Sequence, residues 1–169
     1  AIMKVPGESH FDKLFTIAHI FPTIPRESDI VEIGSLWGRT AKAFCCLSHF
    51  FDKGNVICID PWSKGIKTTQ DTHKIIDSLS LNYDESIFPV FVSNLLAEHR
   101  LRINYIKGYS SEVKEKYFKS DGKIVTDEFG RTDYHKKIGL LHLDGNHKYE
   151  NVTEDINNFA KKVISGGWI

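Results

Sequence analysis

Four short apolar segments, rich in β-branched residues, alternate along the chain with segments of helical periodicity. This alternation limits the possible folds more than any other feature of the sequence. The predicted strands cover residues 29–34, 55–60, 103–108 and 138–143. The predicted helices cover residues 8–21, 40–50, 72–81, 92–101, 111–118 and 151–164. The order predicts an α/β fold, a doubly wound, Rossmann-like and mostly parallel sheet with helices on both faces.

Glycine and aspartate stand at the carboxyl ends of the predicted strands. These residues are Gly34, Asp60, Gly108 and Asp144. Ligands of doubly wound sheets bind beyond these strand ends. The sequence therefore predicts a ligand site at this edge of the sheet.

Composition is typical of one globular domain. The chain has 169 residues, of which 41% are hydrophobic, and its 22 basic residues balance its 22 acidic residues. A net charge of zero argues against a nucleic-acid partner, because such proteins need an excess of Lys and Arg. No apolar run is long enough to span a membrane. Three cysteines without a spaced framework, two of them adjacent at Cys45 and Cys46, indicate reduced thiols and a cytoplasmic protein.

The first motif is Glu32-x-Gly34-x-x-x-Gly38, which runs from a predicted strand into a predicted helix. Glycines permit a tight turn, and the N–H groups of the helix can face an anion. An ordinary strand-to-helix turn is the alternative interpretation. Asp60 ends the next strand, where a carboxylate can accept hydrogen bonds from ribose hydroxyls or can cap the following turn. The two motifs together favour nucleoside recognition over coincidence.

A third motif places a carboxylate and an imidazole three positions apart, in Asp144-Gly145-Asn146-His147. Asp144 is a candidate ligand for a hard cation. His147 is a candidate general base, because the pKa of an unperturbed histidine lies near neutrality. The alternative is a turn aspartate beside an exposed histidine.

These motifs resemble those of class I S-adenosylmethionine-dependent methyltransferases. The resemblance rests on residues 31–40, 57–62, 106–110 and 141–150, followed by Gly166-Gly167. The subgroup it resembles contains small-molecule and sugar O-methyltransferases related to macrocin O-methyltransferase, together with cephalosporin-hydroxylase-like proteins. It covers residues 29–169 apart from 63–90 and 119–137.

The resemblance implies S-adenosylmethionine as cofactor and a set of residues that would bind it. These residues are Gly34, Ser35 and Gly38 in the loop under the methionine part, Glu32 at its amino group, Thr40 at its carboxylate, Asp60 at the ribose hydroxyls, and Trp62, Tyr109 and Ser110 around the adenine. The matching aspartate of metal-dependent members binds magnesium, so Asp144 is the candidate metal ligand. His147 matches a histidine proposed there as the base.

A single methyltransferase-like domain is expected over residues 1–169, with a helix and linker over 1–28 and the cofactor-binding core over 29–169. Residues 119–137 are polar, and we expect a projecting loop or hairpin arm there. A strand is expected to begin after Gly166-Gly167, where the sequence stops at Ile169. We therefore expect a fragment without the last strands of the sheet, and a metal site that is incomplete in this chain.

The function implied is methyl transfer from S-adenosylmethionine to a hydroxyl of a small molecule, either a sugar or a natural product. A hydroxylase-like relative with the same pocket is one alternative. A non-catalytic domain of a longer polypeptide is another. The expected partner is the small-molecule acceptor, and assembly into a homo-oligomer is left open.

Overall fold

A computed structural model describes residues 2–7, 9–62, 83–96 and 102–169. Within them, five parallel strands form one sheet, in the order β3-β2-β1-β6-β7. The strands are β1 (Asp29–Ile33), β2 (Val56–Asp60), β3 (Ile103–Lys107), β6 (Ile138–Leu143) and β7 (Val163–Trp168). A second, two-stranded sheet consists of β4 (Lys123–Thr126) and β5 (Gly130–Asp133). The predicted parallel α/β sheet is confirmed.

Helices cover both faces of the large sheet. They are α1 (Phe11–Ile20), α2 (Arg39–Phe50), α3 (Tyr83–Leu96), α4 (Ser110–Lys119) and α5 (Tyr149–Phe159). Single 3₁₀ turns occupy Ile2–Lys4, Phe21–Thr23 and Ala160–Lys162. None of the helices described in these ranges is long and apolar enough to cross a membrane.

The two faces of the sheet carry two apolar cores. On one face, Ile30 and Leu140 pack with Phe44 of α2 and Phe91 of α3. On the other face, the packing partners are Val31, Ile57 and Leu141 of the sheet, Tyr117 of α4 and Phe159 of α5. Because both faces are buried, β1 and β2 are buried at every position. This explains why four apolar residues follow one another at positions 56–59 of β2 rather than alternating with polar ones.

The position of α3 corrects the sequence prediction. A helix is expected over 92–101, whereas α3 is already helical at Tyr83 and runs through Pro89 to Leu96; residues 97–101 lie outside the described residues. Ile87, Phe91 and Leu95 are spaced at i, i+4 and i+8 and are all buried. Burial of this face outweighs the backbone hydrogen bond that a proline removes. The helix predicted over 72–81 lies outside the described residues.

Strands β4 and β5 form an antiparallel hairpin within residues 119–137. It does not project from the domain, contrary to expectation. The amide of Asn104 in β3 donates to Gly130 O at 2.9 Å, and its oxygen accepts from Thr126 Oγ1 at 2.8 Å. Tyr134 is buried and stacks on Tyr117, with ring centroids 5.0 Å apart. Hydrogen bonds and aromatic packing therefore fix the hairpin against the β3 edge.

The last strand begins earlier than predicted. Helix α5 ends at Phe159, and β7 begins at Val163, before the two glycines. Ile138 pairs with Val163 and Leu140 pairs with Trp168, so β7 bulges between these pairs. Gly166 lies within the bulge at a φ of +80°, a conformation that favours glycine.

Candidate functional site

The loop between β1 and α2 lies at the carboxyl edge of the sheet and depends on two glycines. Gly34 has a φ of +87°, and a Cβ there would overlap the backbone of Asp144 and Gly145. Gly38, also at +87°, caps α2, and a Cβ there would lie 3.0 Å from the Phe91 ring. Gly34 thus brings the ends of β1 and β6 together, and Gly38 lets α3 approach the loop.

Asp60 ties this loop to the end of β2. Its Oδ2 accepts from Ser35 N at 2.9 Å and Leu36 N at 3.0 Å, and its Oδ1 accepts from Trp62 N at 2.7 Å. Burial raises the pKa of the Asp60 carboxyl, and these three N–H groups oppose the rise. A carboxylate oxygen offers two lone pairs, so Oδ1 retains one. One acceptor position on Oδ1 is therefore left for a ribose hydroxyl, and Asp60 itself is 4% exposed.

Two of the four non-glycine residues with positive φ in the described part of the chain lie beside Asp60. Leu36 and Trp62 have φ values of +46° and +39°, in the left-handed region that residues with a Cβ seldom adopt. The Trp62 indole N–H donates to Leu36 O at 2.9 Å and links the two positions. Strained residues of this kind cluster at ligand sites, which supports a functional role for this edge.

The N-terminal segment, residues 2–7 and 9, covers the loop. Arg39 at the start of α2 donates from Nε to Val5 O at 2.7 Å and from Nη1 to Ser9 O at 2.9 Å. The hydroxyls of Ser9 and Thr40 lie 2.5 Å apart in a hydrogen bond. Val5 and Ser9 are both buried. The segment is therefore packed into the domain, and is not a loose linker.

A small cavity of about 40 Å³ remains beneath the N-terminal segment. Its lining comprises Gly7, Ser9, Gly34, Ser35, Leu36, Arg39, Thr40 and Asp144. The Ser35 hydroxyl is buried beside the Cys58 thiol, which is a weak hydrogen-bond partner. A hydroxyl can donate one hydrogen bond and accept two, so Ser35 keeps capacity for a further bond.

Asp144 lies at the rim of the cavity between two basic side chains. Its Oδ2 forms an ion pair with Lys13 Nζ of α1 at 2.8 Å. Its Oδ1 lies 3.6 Å from His147 Nε2, and the His147 side chain is 71% exposed. Across the part of the chain that the structure describes, no three His, Cys, Asp or Glu residues are grouped so as to hold a metal ion. The predicted magnesium site therefore does not fit these residues.

Glu32 lies beneath the cavity and does not line it. Its carboxylate faces its two cross-strand neighbours, with Oε1 3.3 Å from His142 Nδ1 and Oε2 3.9 Å from Cys58 Sγ. Burial raises the pKa of the Cys58 thiol, with a further contribution from Glu32. The Nε2 atom of His142 is buried without a partner. In this arrangement both Glu32 oxygens face neighbouring residues of the sheet, and Glu32 is absent from the cavity lining.

The residues expected around an adenine do not line the cavity either. Trp62 is 3% exposed and packs between Phe91 and Tyr105, with ring centroids 4.6 and 5.6 Å away. Tyr109 is half-exposed ahead of α4, and the Ser110 hydroxyl bonds to Asp155 of α5. The cavity unites four of the predicted residues, which are Gly34, Ser35, Thr40 and Asp144.

Sequence reasoning missed the basic and N-terminal residues of this site. Arg39 stands inside the glycine motif, which was a signal, but its acceptors lie 30 or more positions away. Ser9 and Lys13 carried no local signal, because a lysine and a serine near an amphipathic helix are ordinary surface residues.

A family described as a methyltransferase domain matches residues 31–169. The chain belongs to this family. The resemblance read from the motifs is thus confirmed, and the match covers the loop, Asp60 and Asp144. No curated protein matches the chain.

Solved structures share the fold of this methyltransferase domain. CalS11, a TDP-rhamnose 3'-O-methyltransferase of calicheamicin biosynthesis, is 14% identical over 94% of this chain and 62% of its own, with a TM-score of 0.54. The O-methyltransferase NovP is 15% identical over 94% of this chain and 64% of its own, with a TM-score of 0.56. The domain spans less than two-thirds of either protein.

Proposed function

We propose that the domain binds S-adenosylmethionine and transfers its methyl group to a hydroxyl of a small molecule, a sugar or another natural product. Family membership supports the cofactor. The names of the fold relatives CalS11 and NovP support oxygen as the acceptor atom, and that of CalS11 supports a sugar as substrate. Cys45, Cys46 and Cys58 form no disulfide, which supports a reducing compartment such as the cytoplasm.

One observation carries the proposal, namely the buried Ser35 hydroxyl that lacks a good partner in a cavity at the start of α2. A helix N-terminus favours a negatively charged group. The carboxylate of the cofactor would therefore lie near Thr40 and Ser35. The unused lone pair of Asp60 would accept one hydrogen bond from a ribose hydroxyl.

The Thr40 and Ser35 hydroxyls fit the polar groups of the cofactor, but the cavity is too small for the cofactor unless the N-terminal segment moves. A cavity of about 40 Å³ is far smaller than the pockets that hold small molecules, which are about 300 Å³ or more. The Thr40 hydroxyl is also hydrogen-bonded to Ser9. Binding therefore requires the N-terminal segment to move away from the loop.

When bound, S-adenosylmethionine supplies a methyl group on a positively charged sulfur. The chain would supply a base and its orientation. His147 is exposed and would accept the proton of the acceptor hydroxyl, and Asp144 would hold its imidazole in place. Orientation of the two reactants supplies much of the rate in such a transfer.

Calorimetry with S-adenosylhomocysteine tests cofactor binding. Thr40→Val removes the hydroxyl with little change in shape, and we expect affinity to fall by only a few-fold, because loss of the cofactor bond, about 1 kcal/mol, is partly offset by release of the Ser9 contact that holds the segment closed. Thr16→Val is the matched control, because the Thr16 hydroxyl is exposed and bonds only to Asp12 O. A transfer assay with labelled methyl groups and nucleotide-linked sugars then tests the reaction. Absence of binding by the folded wild-type chain would refute the proposal.

A further inference from the structure

We infer that the Lys13 ammonium, and not a divalent metal ion, is the cation that Asp144 holds in the active site. This role in the reaction rests on the proposed methyl transfer. Lys13 Nζ lies 2.8 Å from Asp144 Oδ2, and the two side chains are 37% and 25% exposed. The pair is thus partly shielded but still open to a small molecule.

Lys13 is built into this position by the fold of the N-terminal residues. Ile17 is buried and stands four positions later on α1, so both side chains lie on the helix face turned to the domain. Ile17 therefore anchors α1 on the domain independently of the residues before the helix, which distinguishes Lys13 from a mobile surface residue.

The surroundings of Asp144 oppose a divalent cation. Magnesium requires near-octahedral oxygen coordination. Among the residues described, Asp144 stands without two further His, Cys, Asp or Glu partners that could share a metal. The groups facing it are basic, since Lys13 and His147 flank its two oxygens and Arg39 lines the same cavity. A dication at Oδ2 would have to displace the ammonium.

An ammonium can serve the acceptor where a metal ion otherwise would. It has three N–H donors, of which Asp144 uses one, so two remain for the acceptor oxygen. As the new oxygen–methyl bond forms, the sulfur–methyl bond breaks and its electron pair stays on sulfur. The hydroxyl proton passes to His147, and Lys13 keeps its own proton throughout. Its N–H groups orient the oxygen and stabilise the negative charge that develops on it.

Binding of Mn²⁺ to the full chain, measured by electron paramagnetic resonance, tests the inference without an activity assay. Lys13→Met removes the charge and keeps the length, and we expect it to bind Mn²⁺ at least about tenfold more tightly than wild type, because a repelling charge is gone. Lys13→Arg, which keeps the charge, should bind as weakly as wild type. The double variant Lys13→Met/Asp144→Asn should lose the gain. Equal affinities of wild type and Lys13→Met would overturn the inference, as would tight, Asp144-dependent binding by wild type.

Methyl transfer in the presence of a chelator provides the second readout. The activity of wild type should be insensitive to the chelator. The kcat of Lys13→Met should be lower by about tenfold or more. Lys13→Arg should retain part of the kcat, and addition of Mg²⁺ should restore part of it to Lys13→Met. A wild-type enzyme that is inactivated by the chelator and restored by Mg²⁺ would contradict us. If no transfer is found at all, the proposed function fails, while the Mn²⁺ measurement still decides which cation Asp144 holds.

Discussion

Replacing Asp60 by alanine removes the acceptor of three backbone N–H groups at once. Ser35 N, Leu36 N and Trp62 N donate to it at 2.9, 3.0 and 2.7 Å. A buried donor left unpaired costs about 1–3 kcal/mol. Ionisation of Asp60 is itself disfavoured by burial, so the lower end of that range applies to each bond. We expect Asp60→Ala to lower the free energy of unfolding by about 3–5 kcal/mol.

Urea unfolding at neutral pH, followed by tryptophan fluorescence and circular dichroism, measures this loss. Asp60→Asn is the intermediate variant, because its one oxygen can still accept from the Ser35 and Leu36 N–H groups while the Trp62 N–H loses its partner. It should lose about 1–2 kcal/mol. Asp121→Asn, at an exposed pair with Lys123, is the control and should leave stability unchanged.

A loss of less than about 1 kcal/mol in Asp60→Ala would refute the reasoning, since the loop would then be held by other contacts. The size of the effect also matters for interpretation of binding data. If Asp60→Ala is only partly folded, weaker cofactor binding cannot be assigned to the ribose. Asp60→Asn, measured where it is fully folded, is the variant that tests the ribose contact.

Three further predictions concern the loop, pH dependence and the N-terminal segment. Gly34→Ala should destabilise the domain by about 2–4 kcal/mol more than Gly130→Ala, because both glycines have positive φ but a Cβ meets backbone only at Gly34; equal losses in denaturant titrations would contradict this. Burial raises the pKa of Asp155 above its ordinary value, so the stability it confers is present below about pH 4 and lost as the pH rises through the folded pKa. Asp155→Asn should therefore gain stability relative to wild type from about pH 4 to about pH 7 in urea titrations, and a flat difference would count against it. Oxidation of Ser9→Cys/Thr40→Cys should lock the segment and abolish S-adenosylhomocysteine binding, with recovery on reduction, and undiminished binding by the oxidised form would show that the segment need not move.

The large sheet could be predicted because its sequence signal is local. Strands buried on both faces need apolar, β-branched residues throughout, and such runs mark β1, β2, β3 and β6 directly. The local sequence signal did not predict the extent of helix α3, where burial of side chains outweighs the helix preference of single residues. The sequence predicted this helix only from residue 92, but α3 already runs through Pro89 because Ile87, Phe91 and Leu95 fill the core.

Site residues were predictable only as far as chain topology determines them. Strand ends converge in any parallel sheet, which brought Gly34, Asp60 and Asp144 to one edge. Side-chain direction is not determined in that way. Trp62 directly follows this edge, yet its left-handed backbone turns the indole into the core. The contact between Ser9 and Thr40 spans 31 positions and depends on how the N-terminal segment packs.

The N-terminal segment satisfies the same polar groups that a ligand would use. Ser9 bonds to Thr40, and Gly7 and Ser9 line the cavity. A cofactor therefore exchanges hydrogen bonds at this site, and the net gain per exchange is small. Its observed affinity is the intrinsic affinity multiplied by the fraction of molecules in which the segment is displaced. Substitutions that weaken the segment without touching the loop should thus raise cofactor affinity, and those at Ser35 should lower it. A substitution in the covering segment and a substitution at a residue that binds the cofactor should therefore change the affinity in opposite directions.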